Sequence, residues 1–334
     1  MSQTNHQTYA NGTAASHRLF AKEFPILAAV CTPFSDETGD VNLSVIPSFA
    51  KKLEERDCDG VFLSGTCGEG PSCTVEERKA LMRAWAEACR ETSSLKLIVH
   101  IGGSSVRDAR ELAEEAARLY AEGRGGIHGI AAVAPFYLKP ANEEVLADCI
   151  AYIAQGAPHV PFFYYHFPDT TGVTVPLSAA LPALMKKVPS LRGVKFTSKD
   201  LCDWAKASSF VRSARPHGDF YMWGGYEEVA RELCIHGADG WIGAAAPLVA
   251  TEYRDMCISQ KNGAVQKAEE KWKVVESYLK VMDDFGCIQC LRVIFEDGWG
   301  LKGVGLAPRL PAKPLSSKDL SALRERLARD GLVA

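Results

Sequence analysis

The residues best suited to covalent chemistry in this chain are a lysine and a tyrosine. Lys195 lies inside the apolar run Leu191-Arg192-Gly193-Val194-Lys195-Phe196-Thr197, and Tyr165 sits near the end of the earlier run Pro161-Phe162-Phe163-Tyr164-Tyr165-His166-Phe167. An unpaired ammonium is strongly disfavoured in low dielectric, and its usual escape is loss of the proton. An unperturbed lysine, with pKa about 10.4, is neutral in roughly one copy in 2,500 at pH 7. Burial that lowers it to about 7–8 multiplies that fraction by hundreds. A neutral amine attacks ketones, and a phenol can carry a proton to or from a developing alkoxide, so the pair points to Schiff-base chemistry. Strand alternation puts Lys195 and Thr197 on one face and Val194 and Phe196 on the other, and turns Tyr164 away from Tyr165. Spacing alone leaves a plainer reading open: a strand-end lysine snorkelling to solvent and a core tyrosine with a satisfied hydroxyl.

A third candidate is Gly65-Thr66-Cys67-Gly68-Glu69. Glycines let backbone approach a ligand, and exposed amides with the Thr66 hydroxyl can hold a carboxylate, although a strand-to-helix glycine turn is also common as plain structure. Two motifs are set aside. Gly298-Trp299-Gly300-Leu301-Lys302-Gly303 fits G-x-G-x-x-G but follows a helical pattern, so no dinucleotide site is expected. Cys287-Ile288-Gln289-Cys290 has no second pair to complete a zinc site and reads as two packed helix thiols.

The elements that must position these residues are short apolar segments at 26–32, 60–65, 97–102, 129–135, 161–167, 191–197, 220–225 and 240–245. Between them run helical patterns: 75–90 places Leu81, Trp85 and Cys89 on one face, and 104–120 does so with Ala109, Leu112, Ala116 and Leu119. Thr74 three residues before Glu77 reads as a helix start. Eight strand–helix units predict a parallel sheet closed into a (β/α)₈ TIM barrel over residues 21–247. Residues 248–334 read as a C-terminal helical extension, and residues 1–20 as a disordered tail. In such barrels the site forms at the C-terminal ends of the strands, which is where Thr66, Tyr165, Lys195, Gly225 and Ala244 fall.

Composition narrows the function. The chain has 334 residues, 47% hydrophobic and 24% charged, with 38 basic and 41 acidic residues for a net charge of −3. That balance argues against a nucleic-acid partner, and no apolar run approaches the ~18 residues of a membrane span. The eleven scattered cysteines suggest reduced thiols in a cytoplasmic setting. Asn11-Gly12-Thr13 matches the glycosylation triplet, but without a secretory pattern its use is not expected.

Taken in order, these motifs resemble the N-acetylneuraminate lyase (sialic acid aldolase) branch of the dihydrodipicolinate synthase superfamily. Ala134-Pro135-Phe136-Tyr137-Leu138-Lys139-Pro140, Tyr164-Tyr165-His166-Phe167-Pro168, Thr171-Gly172-Val173, Gly193-Val194-Lys195-Phe196 and Pro308-Arg309-Leu310-Pro311 carry the resemblance. It implies a class I aldolase without a cofactor or metal, acting on a small 2-keto acid and assembled as a homotetramer. Lys195 would form the Schiff base and Tyr165 would relay the proton. Thr66 and Cys67 would hold the substrate carboxylate, and Thr197, Gly225, Glu227 and Glu228 would bind the polyhydroxyl tail. Three positions depart from the pattern. Cys67 stands where the family has Thr or Ser, Glu227 where the lyase has Asp, and Ala244 where a tail-binding Ser is expected. The dihydrodipicolinate synthase branch carries an Arg five residues after the catalytic Tyr, where this chain has Thr170. The sequence therefore supports cleavage of N-acetylneuraminate to pyruvate and N-acetylmannosamine. The alternatives are an aldolase or dehydratase for another sugar-derived 2-keto-3-deoxy acid, such as a deaminated sialic acid, and a non-catalytic barrel that binds keto acids.

Overall fold

The structure is a computed structural model, and it describes residues 19–92, 94–122, 126–216 and 218–332. Strands β1 (Ile26–Ala29), β2 (Gly60–Leu63), β3 (Lys96–His100), β4 (Gly129–Val133), β5 (Phe162–His166), β6 (Leu191–Phe196), β7 (Tyr221–Gly224) and β8 (Gly240–Gly243) run parallel in chain order, and β8 pairs with β1 to close the barrel. All eight expected segments are strands. Several end earlier than expected: Val30 and Cys31 stay fully buried after β1 has left the ladder. An apolar run records burial, which outlasts backbone pairing.

Helices α1 (Ile46–Glu55), α2 (Val75–Glu91), α3 (Val106–Ala121), α4 (Glu143–Ala154), the single turn α5 (Pro168–Thr171), α6 (Leu177–Lys187), α7 (Leu201–Ala214) and α8 (Ala230–Ile235) lie between the strands. After β8 come α9 (Ala250–Lys261), α10 (Val265–Phe285), α11 (Cys287–Val293) and α12 (Ser317–Arg329). The start of α2 is the expected capping box: Thr74 Oγ1 accepts from Glu77 N, and the Glu77 carboxylate accepts from Thr74 N. The G-x-G-x-x-G stretch follows α11 and a π turn, not a strand, so the dinucleotide motif lacks its structural context.

The core has two layers. Val194, Phe196 and Tyr164 face the outer layer between strands and helices. Leu27, Phe62, Ile98, Ala131, Phe163, Tyr165, Trp223 and Ile242 fill the lumen. Phe163 and Trp223 stack there with centroids 4.5 Å apart. Phe20 closes the lumen from the N-terminal end, edge-on to Trp223 at 5.8 Å, and Leu19 N donates to the Tyr221 hydroxyl at 2.6 Å. The last two residues of the expected tail are thus anchored. Residues 1–18, with the Asn11 triplet, lie outside the described residues. A cavity of about 500 Å³ also opens at that end, between Phe20, Arg212, Phe220 and Met222, across the barrel from Lys195.

The C-terminal helices are fastened to the barrel by buried charge. Arg292 on α11 is fully buried and donates to the carbonyls of Thr32, Val304 and Gly305 and, at 2.5 Å, to the Glu69 carboxylate. The other Glu69 oxygen accepts from Arg309 N, and the Arg309 guanidinium grips Glu77 on α2. Among the described residues no helix is long and apolar enough to cross a membrane.

Candidate active site

Lys195 points into the lumen. It is 5% exposed, near the C-terminal end of β6, with Tyr165 of β5 and Trp223 of β7 as its register partners. Its Nζ lies over the ring faces of Tyr165 at 4.3 Å and Phe62 at 4.4 Å from the centroids. Ring faces hold a cation loosely and offer a neutral amine no competing acceptor, so the nitrogen is placed for attack. Two residues on, Thr197 shares this face. Its Oγ1 is buried and has no hydrogen-bond partner, so it is a free polar group beside the amine. Space for both comes from Gly225: a Cβ there would meet Thr197 Oγ1 at 2.6 Å and Lys195 Cε at 2.8 Å. Gly225 therefore makes room for the lysine.

Tyr165 is held by rings. Phe62 and His100 meet it edge-on, each at 5.6 Å, and Phe167 stacks on it at 5.6 Å. Its hydroxyl lies 3.4 Å from Thr66 Oγ1, which joins the loop after β2 to the base of the site. That loop is tightly wound. Ser64 and Glu69 take left-handed conformations (φ 56° and 51°), an uncommon backbone for non-glycine residues that gathers at functional sites. A Cβ at Gly70 would strike Ser64 O at 2.1 Å. The Glu69–Arg292 pair clamps the loop from behind, so Thr66 is left exposed and Cys67 half-buried at the lumen mouth.

The rim carries the departures from the family pattern, and two of them meet. Glu227 reaches across from β7 so that its Oε1 accepts from Ala245 N at 2.7 Å, just past Ala244 at the end of β8. The longer carboxylate thus fills the edge where the expected serine is absent. Burial raises the Glu227 carboxyl to about 7, against the opposing pull of the Ala245 amide and Lys195. Glu228 turns outward, half exposed, with Lys199 Nζ at 3.7 Å. Ala244 is buried, 5% exposed.

Three neighbours escaped sequence reasoning. Phe62 and His100 are single residues in apolar strands, and only strand parity places them under Tyr165. His100 donates from Nδ1 to Ser64 O at 2.9 Å, and burial beside the Arg78 guanidinium holds it down at about 3, so the ring is neutral. Cys287 was read as a packed helix thiol. Its thiol instead donates to Cys67, which lowers the Cys67 thiol from its ordinary value and raises its own. Cys290 does pack as expected, fully buried. Among the described residues no group of His, Cys, Asp or Glu is arranged to hold a metal ion.

Comparison with known proteins places this geometry. The model of the Dihydrodipicolinate synthetase family matches residues 23–329. The chain belongs to that family. It is 31% identical over 303 residues to N-acetylneuraminate lyase A of Xenopus laevis, covering 86% of this chain and 89% of the relative. It is 33% identical over 220 residues to human N-acetylneuraminate lyase, a stretch that is 66% of this chain and 65% of the relative. The solved N-acetylneuraminate lyase of Proteus mirabilis superposes with a TM-score of 0.82 at 27% identity, covering 93% of this chain and 99% of that one. Its relatives thus carry the name of a carbon–carbon lyase, in a family whose barrel and lysine-bearing β6 this chain shares.

Proposed function

We propose that the chain is a Schiff-base aldolase that cleaves N-acetylneuraminate to pyruvate and N-acetylmannosamine. The observation that carries this reading is the placement of Lys195: buried at the top of β6, its nitrogen against the ring of Tyr165. Thr66, with Cys67, holds the substrate carboxylate, which sets the C2 ketone over Nζ. Amine attack and loss of water give an iminium. The Tyr165 hydroxyl takes the proton of the C4 hydroxyl, the C3–C4 bond breaks, and its electron pair moves into the iminium to form an enamine. Protonation at C3 and hydrolysis then release pyruvate, while the former C4 leaves as an aldehyde. Thr197 and Glu227 hold hydroxyls of the sugar tail, and Gly225 gives them space. No cofactor takes part, and the working form is a homotetramer in the cytoplasm.

Glu227 favours a second reading. Its carboxylate spans the gap beside Ala244, so the tail pocket is shaped differently from one lined by Asp and Ser. That suits another sugar-derived 2-keto-3-deoxy acid, such as a deaminated sialic acid. Borohydride reduction with pyruvate tests the chemistry: a stable adduct on Lys195 is expected, and an unlabelled lysine would leave only a keto-acid-binding barrel. Pyruvate release across a panel of 2-keto-3-deoxy sugar acids then ranks the substrates. Silence toward N-acetylneuraminate with turnover of another acid selects the second reading. Light scattering tests the tetramer.

A further inference from the structure

The C-x-x-C motif does not pair with itself. Cys290 is fully buried and its thiol donates to Val281 O at 3.4 Å. Cys287, the first residue of α11, donates its thiol hydrogen bond to Cys67 on the loop after β2, and both residues are partly accessible. Lys195 and Glu227 are their charged neighbours, so the two sulfurs lie at the mouth of the lumen and not in the outer core. A second thiol pair shows what is special here. Cys257 and Cys234 also hydrogen-bond, but both are fully buried and beyond a dissolved reagent's reach. Reactive cysteines are those that are accessible and sit beside a cation, and Cys67 meets both conditions.

We propose that Cys67 and Cys287 are a redox modification site: a peroxide converts them to a reversible disulfide that closes the carboxylate end of the active site. With hydrogen peroxide, the Cys67 thiolate sulfur attacks one oxygen and the O–O bond breaks. The departing hydroxide takes a proton and leaves as water, and Cys67 becomes a sulfenic acid. The Cys287 sulfur, having released its proton, attacks the Cys67 sulfur. The S–O bond breaks, and the leaving hydroxide departs with that proton as a second water. Two thiols lose two electrons in all, and one peroxide is reduced to two waters. Closing the bond draws the sulfurs to about 2.05 Å. The loop after β2 is then tied to α11, and Cys67 loses its S–H donor next to Thr66. The effect on turnover rests on the aldolase reading, in which Cys67 helps to hold the keto acid's carboxylate. The disulfide itself does not rest on that reading.

The test uses the full chain, treated with hydrogen peroxide, quenched with catalase, blocked with iodoacetamide and digested without reductant. The expected product is a cross-linked peptide pair joining Cys67 to Cys287, lighter by two hydrogens and split by dithiothreitol. Cys290→Ser should give the same cross-link. Cys287→Ser should give none and should carry Cys67 on to the sulfinic acid. Labelling of Lys195 by pyruvate and borohydride should slow at least about tenfold on oxidation, the scale of a lost charge-assisted hydrogen bond, and recover with dithiothreitol. Absence of the Cys67–Cys287 cross-link overturns the modification site, and a cross-link that leaves labelling unchanged overturns its effect on the active site. If the reduced protein is itself never labelled, the Schiff-base reading fails, and the peptide map alone decides the disulfide.

Discussion

The base of the lumen and its rim follow different rules. At the base, Lys195, Tyr165 and Thr197 stand on neighbouring strands whose register sets them side by side, and apolar rings pack them in place. At the rim, Cys67, Glu227 and Cys287 come from loops and a helix start, and polar contacts over long sequence separations hold them. Strand register leaves little freedom, because a slip of one residue would turn every lumen side chain into the outer core. Loops and helix ends can exchange residues without disturbing that register. The chemistry is therefore carried by the rigid part and the selectivity by the replaceable part.

Mutations at the base should be the most damaging. Lys195→Met should abolish the borohydride adduct, and Tyr165→Phe should lower kcat by ~10²–10⁴-fold while pyruvate still labels Lys195. A Tyr165→Phe variant with normal kcat would remove the phenol from the mechanism. The support behind the rim comes next. Arg292→Leu strands the buried Glu69 carboxylate and should cost ~3–5 kcal/mol in denaturant unfolding. A loss within the noise of a surface mutation would mean that the clamp on the loop after β2 carries no weight.

Gly225→Ala probes the seam between the two regions. Its new methyl would meet Lys195 Cε at 2.8 Å, so adduct formation should slow and stability should fall by ~1–3 kcal/mol. Glu227 gives a pH signature. Folding raises its carboxyl from 4.5 to about 7, so between those values the folded state keeps a proton that the unfolded state releases. Its contribution to stability therefore weakens as pH rises through that window. Glu227→Gln should remove that slope, so its melting temperature should gain on the parent as pH rises, and parallel curves would contradict the burial of this carboxylate. The smallest change is Cys67→Thr. A hydroxyl donor there should tighten keto-acid binding by roughly 0.5–1.5 kcal/mol, read as a two- to tenfold lower KM.

Much of the base was legible in the one-dimensional pattern. Eight apolar segments at regular spacing announce the barrel, and a lysine among strand residues is conspicuous because its burial is costly. Alternation placed Lys195 and Thr197 inward and Tyr164 outward, as observed. The rings around the amine were not legible, because Phe62 is one aromatic among many until the barrel closes. The link from Cys67 to Cys287 was hidden for the same reason, and the local C-x-x-C spacing drew attention to the wrong partner. Glu227 and Ala244 read as two separate departures, and only the turn of the chain after β8 shows that one side chain spans both positions.

The sequence by itself determined the closed barrel, the strand faces and the lysine–tyrosine pair, because period-two alternation and the cost of burying charge act over a few residues. Only the tertiary structure decided which thiols touch, where the Glu227 carboxylate rests and how Arg292 holds the loop after β2. Those contacts join residues far apart along the chain, and they exist only once the strands have closed and the last helices have docked.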